Sequence, residues 1–571
     1  MKTKISYYVA LSVVTLGAMA AVVLSNNGSQ GDNNFKNNGE VIYLNKQNLV
    51  GEAVGESTLK FDSSKMFAFY DKTKDSKESL RFAVAVKGEI DSINYTRAAI
   101  DGSYEEQVES ITKVYRGLEV EGNTFYYDGA TLTTNEAAKG KYYWAVYNIN
   151  YDNTVTDKIV GSDEVIKFAL TINGNETVSL SSSLESAKLG GGDGSETNPY
   201  LIYSQTGWTE FKNNYDKYKS SNISLNLNIL EEVKAPFGEF SGTFNGNGND
   251  IKLEINNGTS SNTALFSTTT SSAVIKNLNV SGSVTGGANT AGFVGTNFGT
   301  IDNCTNNATI NSSSGRAAGI AAYTCNGSAI INCYNNKGVN ANSLTIEPKQ
   351  IATALGVGGI VGTVEKLSND YLSKNKIVVS TNKIEVNNCH NTGEIINSGT
   401  TAGGVVGIIR SGDFTLDKCT NSANVTSKHM LAGGIVGLVN FSNVTISNCV
   451  NEENSVVTGA YYVGGITGAF GYDGDRTSTM EKCINNGKIV AKGIHTDGKS
   501  YRIGGISGMC YGSTITECTN NGEVLVESYS GDTELKIADN YDTSSYRVAY
   551  IAGYKTKNGK VTSCTNNYKK Q

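Results

Sequence analysis

Ten cysteines and three histidines are the side chains in this 571-residue sequence best suited to metal binding or nucleophilic chemistry. Eight of the cysteines share one context, a short β run followed by Cys-x-Asn. They are Cys304, Cys333, Cys389, Cys419, Cys449, Cys483, Cys518 and Cys564, and their asparagines are Asn306, Asn335, Asn391, Asn421, Asn451, Asn485, Asn520 and Asn566. Zinc-binding thiols usually come in Cys-x-x-Cys pairs, and no such pair occurs here. His390, His429 and His495 fall at different phases of the surrounding pattern, so no zinc site is expected. Cys389-His390-Asn391 has the residue types of a thiol protease. Adjacent residues of a strand point to opposite faces, however, so contiguous residues cannot converge into a triad. Polysaccharide chemistry on a β scaffold needs clustered carboxylates. The densest acidic group is Asp473-Gly474-Asp475-Arg476, which reads as a solvated turn. Calcium is the only cofactor its oxygen ligands suggest. A second group, Asp532, Glu534, Asp539 and Asp542, reads as plain surface. The expectation is a chain without a catalytic site.

The elements that position these residues are set by a repeat. A second phrase alternates with Cys-x-Asn: a glycine pair, an apolar residue, one more residue and a glycine. It occurs at Gly358–Gly362, Gly403–Gly407, Gly433–Gly437, Gly464–Gly468 and Gly504–Gly508, with looser copies at Ala291–Gly295, Ala318–Ala321 and Ile551–Gly553. Cys304 and Cys333 are 29 residues apart, and Cys389, Cys419 and Cys449 follow at intervals of 30. A unit of that length with two or three short strands cannot bury its own core, whereas stacked units bury a continuous one. The prediction is a parallel β-solenoid over 190–571, with glycines where backbones approach closely. One cysteine and one asparagine per coil would form two structural ladders. In-register thiols are spaced like the strands, wider than a disulfide prefers, so the column reads as buried free thiols. Cys325 and Cys510 stand outside it, each eight residues before a column cysteine, where a bridge across the core is the alternative.

The entry stretch Gly192–Ile202 leads to Trp208 and Phe211, then Phe244-Asn245-Gly246-Asn247-Gly248, Leu265-Phe266 and Ile275–Val280. Together with the Gly-Gly-Ile-Val-Gly and Asn-Cys-x-Asn copies, this series resembles bacterial surface proteins with GLUG-type repeats. That resemblance covers about 190–571 and implies a right-handed parallel β-helix of the pectin-lyase-like kind and a place at the cell surface. It departs from the usual Gly-Leu-Phe-Gly phrase, which here is Leu265-Phe266-Ser267 or Gly292-Phe293-Val294-Gly295.

The rest of the chain fits export. Lys2 and Lys4 precede an apolar run from Ile5 to Leu24, so residues 1–24 read as a signal peptide or an N-terminal membrane anchor. Residues 25–40 read as a flexible polar linker. Residues 41–185 carry short alternating strands, Leu80–Val86 and Tyr142–Tyr147 among them, and read as an Ig/Fn3-like β-sandwich. The fold class is therefore all-β, a sandwich followed by a β-helix. Gly207–Lys219 is the best amphipathic helix, placed to cap the solenoid entrance. A net charge of −6 with no basic block argues against nucleic acid as a partner.

Extra residues near 363–384 and 526–545 break the period, and loops on rigid scaffolds often carry function. Late coils concentrate aromatics and acids. Tyr461, Tyr462, Tyr472, Asp473, Asp475 and Tyr511 are the candidate ligand-binding residues, with rings to stack on sugars and carboxylates to bond hydroxyls. The leading expectation is an extracellular or cell-surface adhesin or binding scaffold for glycans or surface proteins, touching membrane only through its N-terminal segment. A polysaccharide lyase or hydrolase and a passive structural component are the alternatives.

Overall fold

The computed structural model describes most of residues 205–569, omitting 343–354, 400, 441, 473–477, 493–500, 528–536 and 543–546. It also describes a few positions between 194 and 202, and strands alone between 42 and 183. The expectations for 1–24 and 25–40 lie outside the described residues. Among the described residues no helix is long and apolar enough to cross a membrane. The chain is all-β. It divides into two compact units, Met1–Tyr218 and Lys219–Gln571.

In the first unit two antiparallel sheets of four strands are described by backbone pairing. One runs Lys60–Lys72, Glu78–Lys87, Tyr142–Tyr151, Glu109–Arg116, and the other Leu49–Ala53, Glu176–Ser183, Val165–Ile172, Ile93–Ile100. How they pack is outside the described residues. The expected amphipathic segment folds as a helix at Gln205–Asn213, with a single turn at Tyr215–Tyr218. Trp208 and Phe211 are buried and stack with ring centroids 5.5 Å apart.

The second unit is built of parallel strands that recur in the same order, coil after coil. This is the arrangement of a β-solenoid. One coil shows the plan. Leu431–Gly433 lies in a short sheet, Val436–Asn440 and Ser442–Ser447 follow in a long sheet, and Val450–Asn451 and Val456–Gly459 lie in a third. The next coil repeats these strands in register. Leu431 pairs with Tyr462, Val436 with Thr467, Ile446 with Met480 and Asn451 with Asn485. The short sheet runs from Thr290–Ala291 to Val548–Ala549, and the third from Ile229–Val233 to Thr565–Asn566.

The interior follows the alternation of apolar residues. Phe240, Phe244 and Phe266 pack in the first coils, with centroids 4.8 Å apart for Phe240 and Phe266. Later coils bury Ile, Val and Cys at equivalent places. The corner between the long and third sheets is made by one residue per coil in the left-handed region. Asn277, Asn303, Asn332, Asn388 and Asn448 occupy it with φ of 50–54°, and Lys418, Lys482, Glu517 and Ser563 share the conformation. Asn tolerates this region because its short side chain bonds locally. Apart from Asn277, which precedes Leu278, these residues immediately precede the column cysteines.

Candidate functional site

The two repeated phrases meet across each coil. Asn421 lies against Gly404 of its own coil: a Cβ on that glycine would sit 2.4 Å from Asn421 Cγ and 2.0 Å from the Gly434 carbonyl oxygen. The same holds at Gly434 against Asn451 and at Gly465 against Asn485. Only glycine fits, because any side chain would occupy the space of the amide. The asparagines form one continuous chain of amides. Each Nδ2 donates to the Oδ1 of the next coil, from Asn306 through Asn335, Asn391, Asn421, Asn451, Asn485 and Asn520 to Asn566, at 2.7–3.1 Å. Seven of the eight also tie their own coil, Asn451 excepted: Asn391 Nδ2 donates to the Gly393 carbonyl at 2.9 Å and its Oδ1 accepts the Gly393 N–H at 3.3 Å. Apart from Asn566 at the last rung, these asparagines are buried, so each internal bond removes a desolvation penalty that an unpaired amide would carry.

Beside this ladder runs the thiol column. All ten cysteines are free, and all are buried except Cys564, which is half-buried. The column thiols donate to carbonyls two residues back and one coil away, as Cys389 Sγ does to Asn387 O at 3.3 Å and Ile330 O at 3.5 Å. Burial holds the thiols of Cys389, Cys419 and Cys449 well above the ordinary cysteine range. Burial pushes Cys510 up to about 12. Reactive thiols need a lowered pKa, so these cysteines act as small apolar packing groups. The bridges considered for Cys325 and Cys510 are not formed. Cys389 and Asn391 are buried and His390 between them is part exposed, stacking on Tyr334 at 4.8 Å and bonding Thr420 Oγ1 at 2.8 Å. His390 thus turns away from the thiol.

Binding chemistry is left to the corners. The two strands of the long sheet are joined at a corner where coil length varies. Here Tyr511 is 39% exposed, and its N–H donates to Phe470 O at 2.9 Å. Tyr472 ends the neighbouring strand Thr467–Tyr472, so Tyr472 and Tyr511 belong to one corner of adjacent coils. Asp473, Asp475 and the Tyr472 side chain lie outside the described residues. Tyr462 is at a different corner, half-buried, with the Arg502 guanidinium 4.9 Å from its ring centroid. Tyr461 is corrected. At 6% exposure it packs with Met430, Leu431, Leu438 and Met509 and cannot offer its ring to a ligand. Tyr461 lies in the bend before the strand Tyr462–Gly464, and its ring packs 6.3 Å from that of Tyr462 on the same apolar cluster. The six candidates therefore do not form one patch.

Two insertions also differ from a plain-loop reading. The first, at the corner that later carries Tyr511, holds the helix Asn369–Lys374 capped by Ser368. Leu372, with Leu367, Ile377 and Val379, packs over Phe298 and Cys325. Its outer side leaves Tyr371 and Val378 exposed. The second adds a partial rung. Ala538 N–H donates to Val548 O at 3.1 Å, and Ala552 N–H to Asn540 O at 2.8 Å. Asp542 is therefore not plain surface. It is 8% exposed and accepts the Val548 N–H at 2.9 Å. Asp532 and Glu534 lie outside the described residues.

A further feature escaped the sequence reading. In each coil the short-sheet strand folds back on the following long-sheet strand. Their backbones nearly touch: a Cβ on Gly403 would lie 2.0 Å from Val406 O. Two side-chain columns face each other along this seam. Asn289 meets Thr296 at 3.5 Å, Arg316 lies over the Tyr323 ring at 4.2 Å, and Gly356 N–H donates to Thr363 Oγ1 at 3.2 Å. An apolar stretch around Leu431 and Leu438 follows. Finally Arg502 and Arg547 lie over the Tyr554 ring at 4.8 and 4.3 Å. Register shows the columns only once strands are paired, which is why spacing in the chain concealed them.

Among the described residues no group of three or more His, Cys, Asp and Glu could hold a metal ion. No protein-family model matches the chain, and comparison with curated proteins and with solved structures gives no match.

Proposed function

We propose that this chain is an exported cell-surface binding protein in which a right-handed, GLUG-type β-helix presents corner loops to glycan or protein ligands. The observation that carries this reading is the separation of spine from corners. The asparagine ladder keeps its 2.7–3.1 Å spacing where partners are 30 residues apart and where they are 56 apart. Added residues leave the spine in register and are displayed at its corners, and loops held on a rigid scaffold are common carriers of recognition. Tyr511 supplies an exposed aromatic ring suited to a sugar face at this corner, and Asp473 and Asp475, which follow Tyr472 in the chain, would add carboxylates for its hydroxyls. No catalytic role is assigned to it.

The test is binding of the purified chain to arrayed glycans and to a panel of surface proteins, beside Tyr511→Ala and a variant lacking 473–477. Ligand capture that falls about tenfold in both variants supports the reading, since a lost aromatic stack and its bonds are worth about that much. Capture unchanged in both variants removes the site from this corner. No capture of any glycan or protein overturns the binding function and favours a structural role.

A further inference from the structure

The insertion at 366–383 carries Lys366, Lys374, Lys376 and Lys383 against Asp370 alone, a net charge of +3 in a chain whose net charge is −6. Residues 355–399 are described without a break, and all four lysines are exposed. None of the four forms an ion pair with a described residue. The acid that precedes them, Glu365, already accepts the Tyr323 hydroxyl at 2.8 Å and an Arg410 N–H at 3.3 Å. Glu385, just beyond them, is half-buried and accepts an Asn387 Nδ2 bond at 3.4 Å. The positive charge of the insertion therefore faces solvent. Its backbone is fastened to the coil beneath. Asn326 Oδ1 accepts the Leu367 N–H at 2.8 Å, and Asn326 Nδ2 donates to Leu367 O at 3.3 Å. The helix Asn369–Lys374 closes with Lys376 N–H on Ser373 O at 3.2 Å and Ile377 N–H on Leu372 O at 2.9 Å, a Schellman closure. Glycine is usual at its left-handed position, but here Lys376 takes it, with φ of 55°. Leu372, Ile377 and Val379 turn inward onto Phe298 and Cys325. Val378, between two inward residues, is 79% exposed, more than any other large apolar side chain described, and Tyr371 is 51% exposed. Tyr371 and Lys374, three residues apart, share the outer face of the helix.

We propose that this insertion docks the solenoid on an anionic lipid surface, with Val378 and Tyr371 entering the headgroup layer and the four lysines meeting the lipid phosphates. Lysines are drawn to the negative potential of such a surface, tyrosine settles at headgroup depth, and an apolar tip gains by leaving water there. A dissolved polyanion would use the lysines and leave Val378 idle, so the pairing of charge with an exposed apolar tip favours the bilayer. The contact is peripheral and adds to the one expected from residues 1–24. It is independent of the ligand capture proposed for the Tyr511 corner.

The test uses the full chain carrying Val378→Trp, mixed with vesicles of brominated phosphatidylcholine alone or with added phosphatidylglycerol. Bromine on the acyl chains quenches tryptophan only at close range, so the readout is local to residue 378 whatever residues 1–24 do. The expected result is quenching beyond that of Trp144 and Trp208 in the unmodified chain on the anionic vesicles, little on the neutral ones, and relief by added salt. Adding Lys376→Gly, which suits the left-handed position, should weaken vesicle affinity about fivefold. Tyr371→Trp is a second reporter, which should respond alike and serves if the first variant does not fold. Equal quenching on neutral and anionic vesicles overturns the proposal, as does none beyond that of the unmodified chain. Retention of dissolved polygalacturonate without quenching also overturns it and assigns the lysines to an acidic glycan. Tyr511-dependent capture of other ligands would stand in each case, so the two readings fail separately.

Discussion

Two asparagine ladders run along the solenoid, one inside and one outside, and they have had different fates. The inner ladder is unbroken from Asn306 to Asn566. The outer one, at the left-handed corner, joins Asn303 to Asn277 at 2.8 Å and Asn388 to Asn332 at 2.7 Å, but Asn332 and Asn448 turn to Asp302 and Asp417 instead, and Lys418, Lys482, Glu517 and Ser563 take the remaining corners. Chemistry and spacing are alike, and burial is what separates them. An inner amide left unpaired has no water to turn to, and it stands against a glycine that leaves no room for another side chain. An outer amide that is lost is replaced by solvent at small cost.

The largest expected effect breaks the inner wall directly. Gly434→Ala would place a Cβ 2.1 Å from the Gly465 carbonyl oxygen. A loss of about 4 kcal/mol or more, read as a shift of the urea midpoint, is expected for such a backbone collision. A tolerated alanine would show that the glycines are not steric requirements. Asn421→Ala removes bonds to Asn391, Asn451 and Ala423 and leaves buried partners unpaired, so about 3 kcal/mol is expected. Asn388→Ala, at the outer corner, should cost only about 1 kcal/mol, mostly for forcing alanine into the left-handed region. Equal losses at 421 and 388 would erase the distinction between the ladders.

The buried thiols of Cys389, Cys419, Cys449 and Cys510 sharpen the contrast through pH. Below about 8.5, the pKa of an unfolded cysteine, both states hold their protons and stability is independent of these groups. Above it the unfolded chain releases protons that the native thiols keep. Stability should then fall by about 1.4 kcal/mol per pH unit for each such thiol. For Cys510 the fall continues to about 12. Denaturation followed from pH 8 to 10 should show this slope, and Cys510→Ala should flatten it by one thiol's share. The smallest effect is expected for Lys418→Gly. It relieves a φ of 53° at an exposed corner and should change stability by less than about 1 kcal/mol, in the stabilising direction.

The glycine pairs and Cys-x-Asn phrases were legible in the chain because each coil must solve the same contact with the same residues. What the letters do not display is that the two phrases touch each other. That contact joins residues 17 positions apart in sequence, Gly404 and Asn421, across the coil interior. Tyr461 was misread because it sits in the bend before strand Tyr462–Gly464, where no alternation in the chain shows that its ring turns into the apolar cluster. Asp542 was misread because its segment pairs with strand Val548–Ala549, which no local pattern announces. The arginine cluster on Tyr554 was invisible for a related reason. Arg502, Arg547 and Tyr554 lie in three separate stretches, and only the pairing of Ile503 with Val548 and Met509 with Tyr554 brings them together.

The unequal coil lengths bear on how such a surface can change over generations. The ladder bonds span 29, 30, 34, 35, 46 and 56 residues without altering the rung they make. An inserted or deleted stretch at a corner therefore causes no frame error in the stack above or below it. Each corner can acquire, lose or exchange a segment independently of its neighbours. The molecule resembles a rack with fixed shelves whose contents can be swapped one at a time, and a graft of foreign loop sequence at 366–383 would inherit the same freedom.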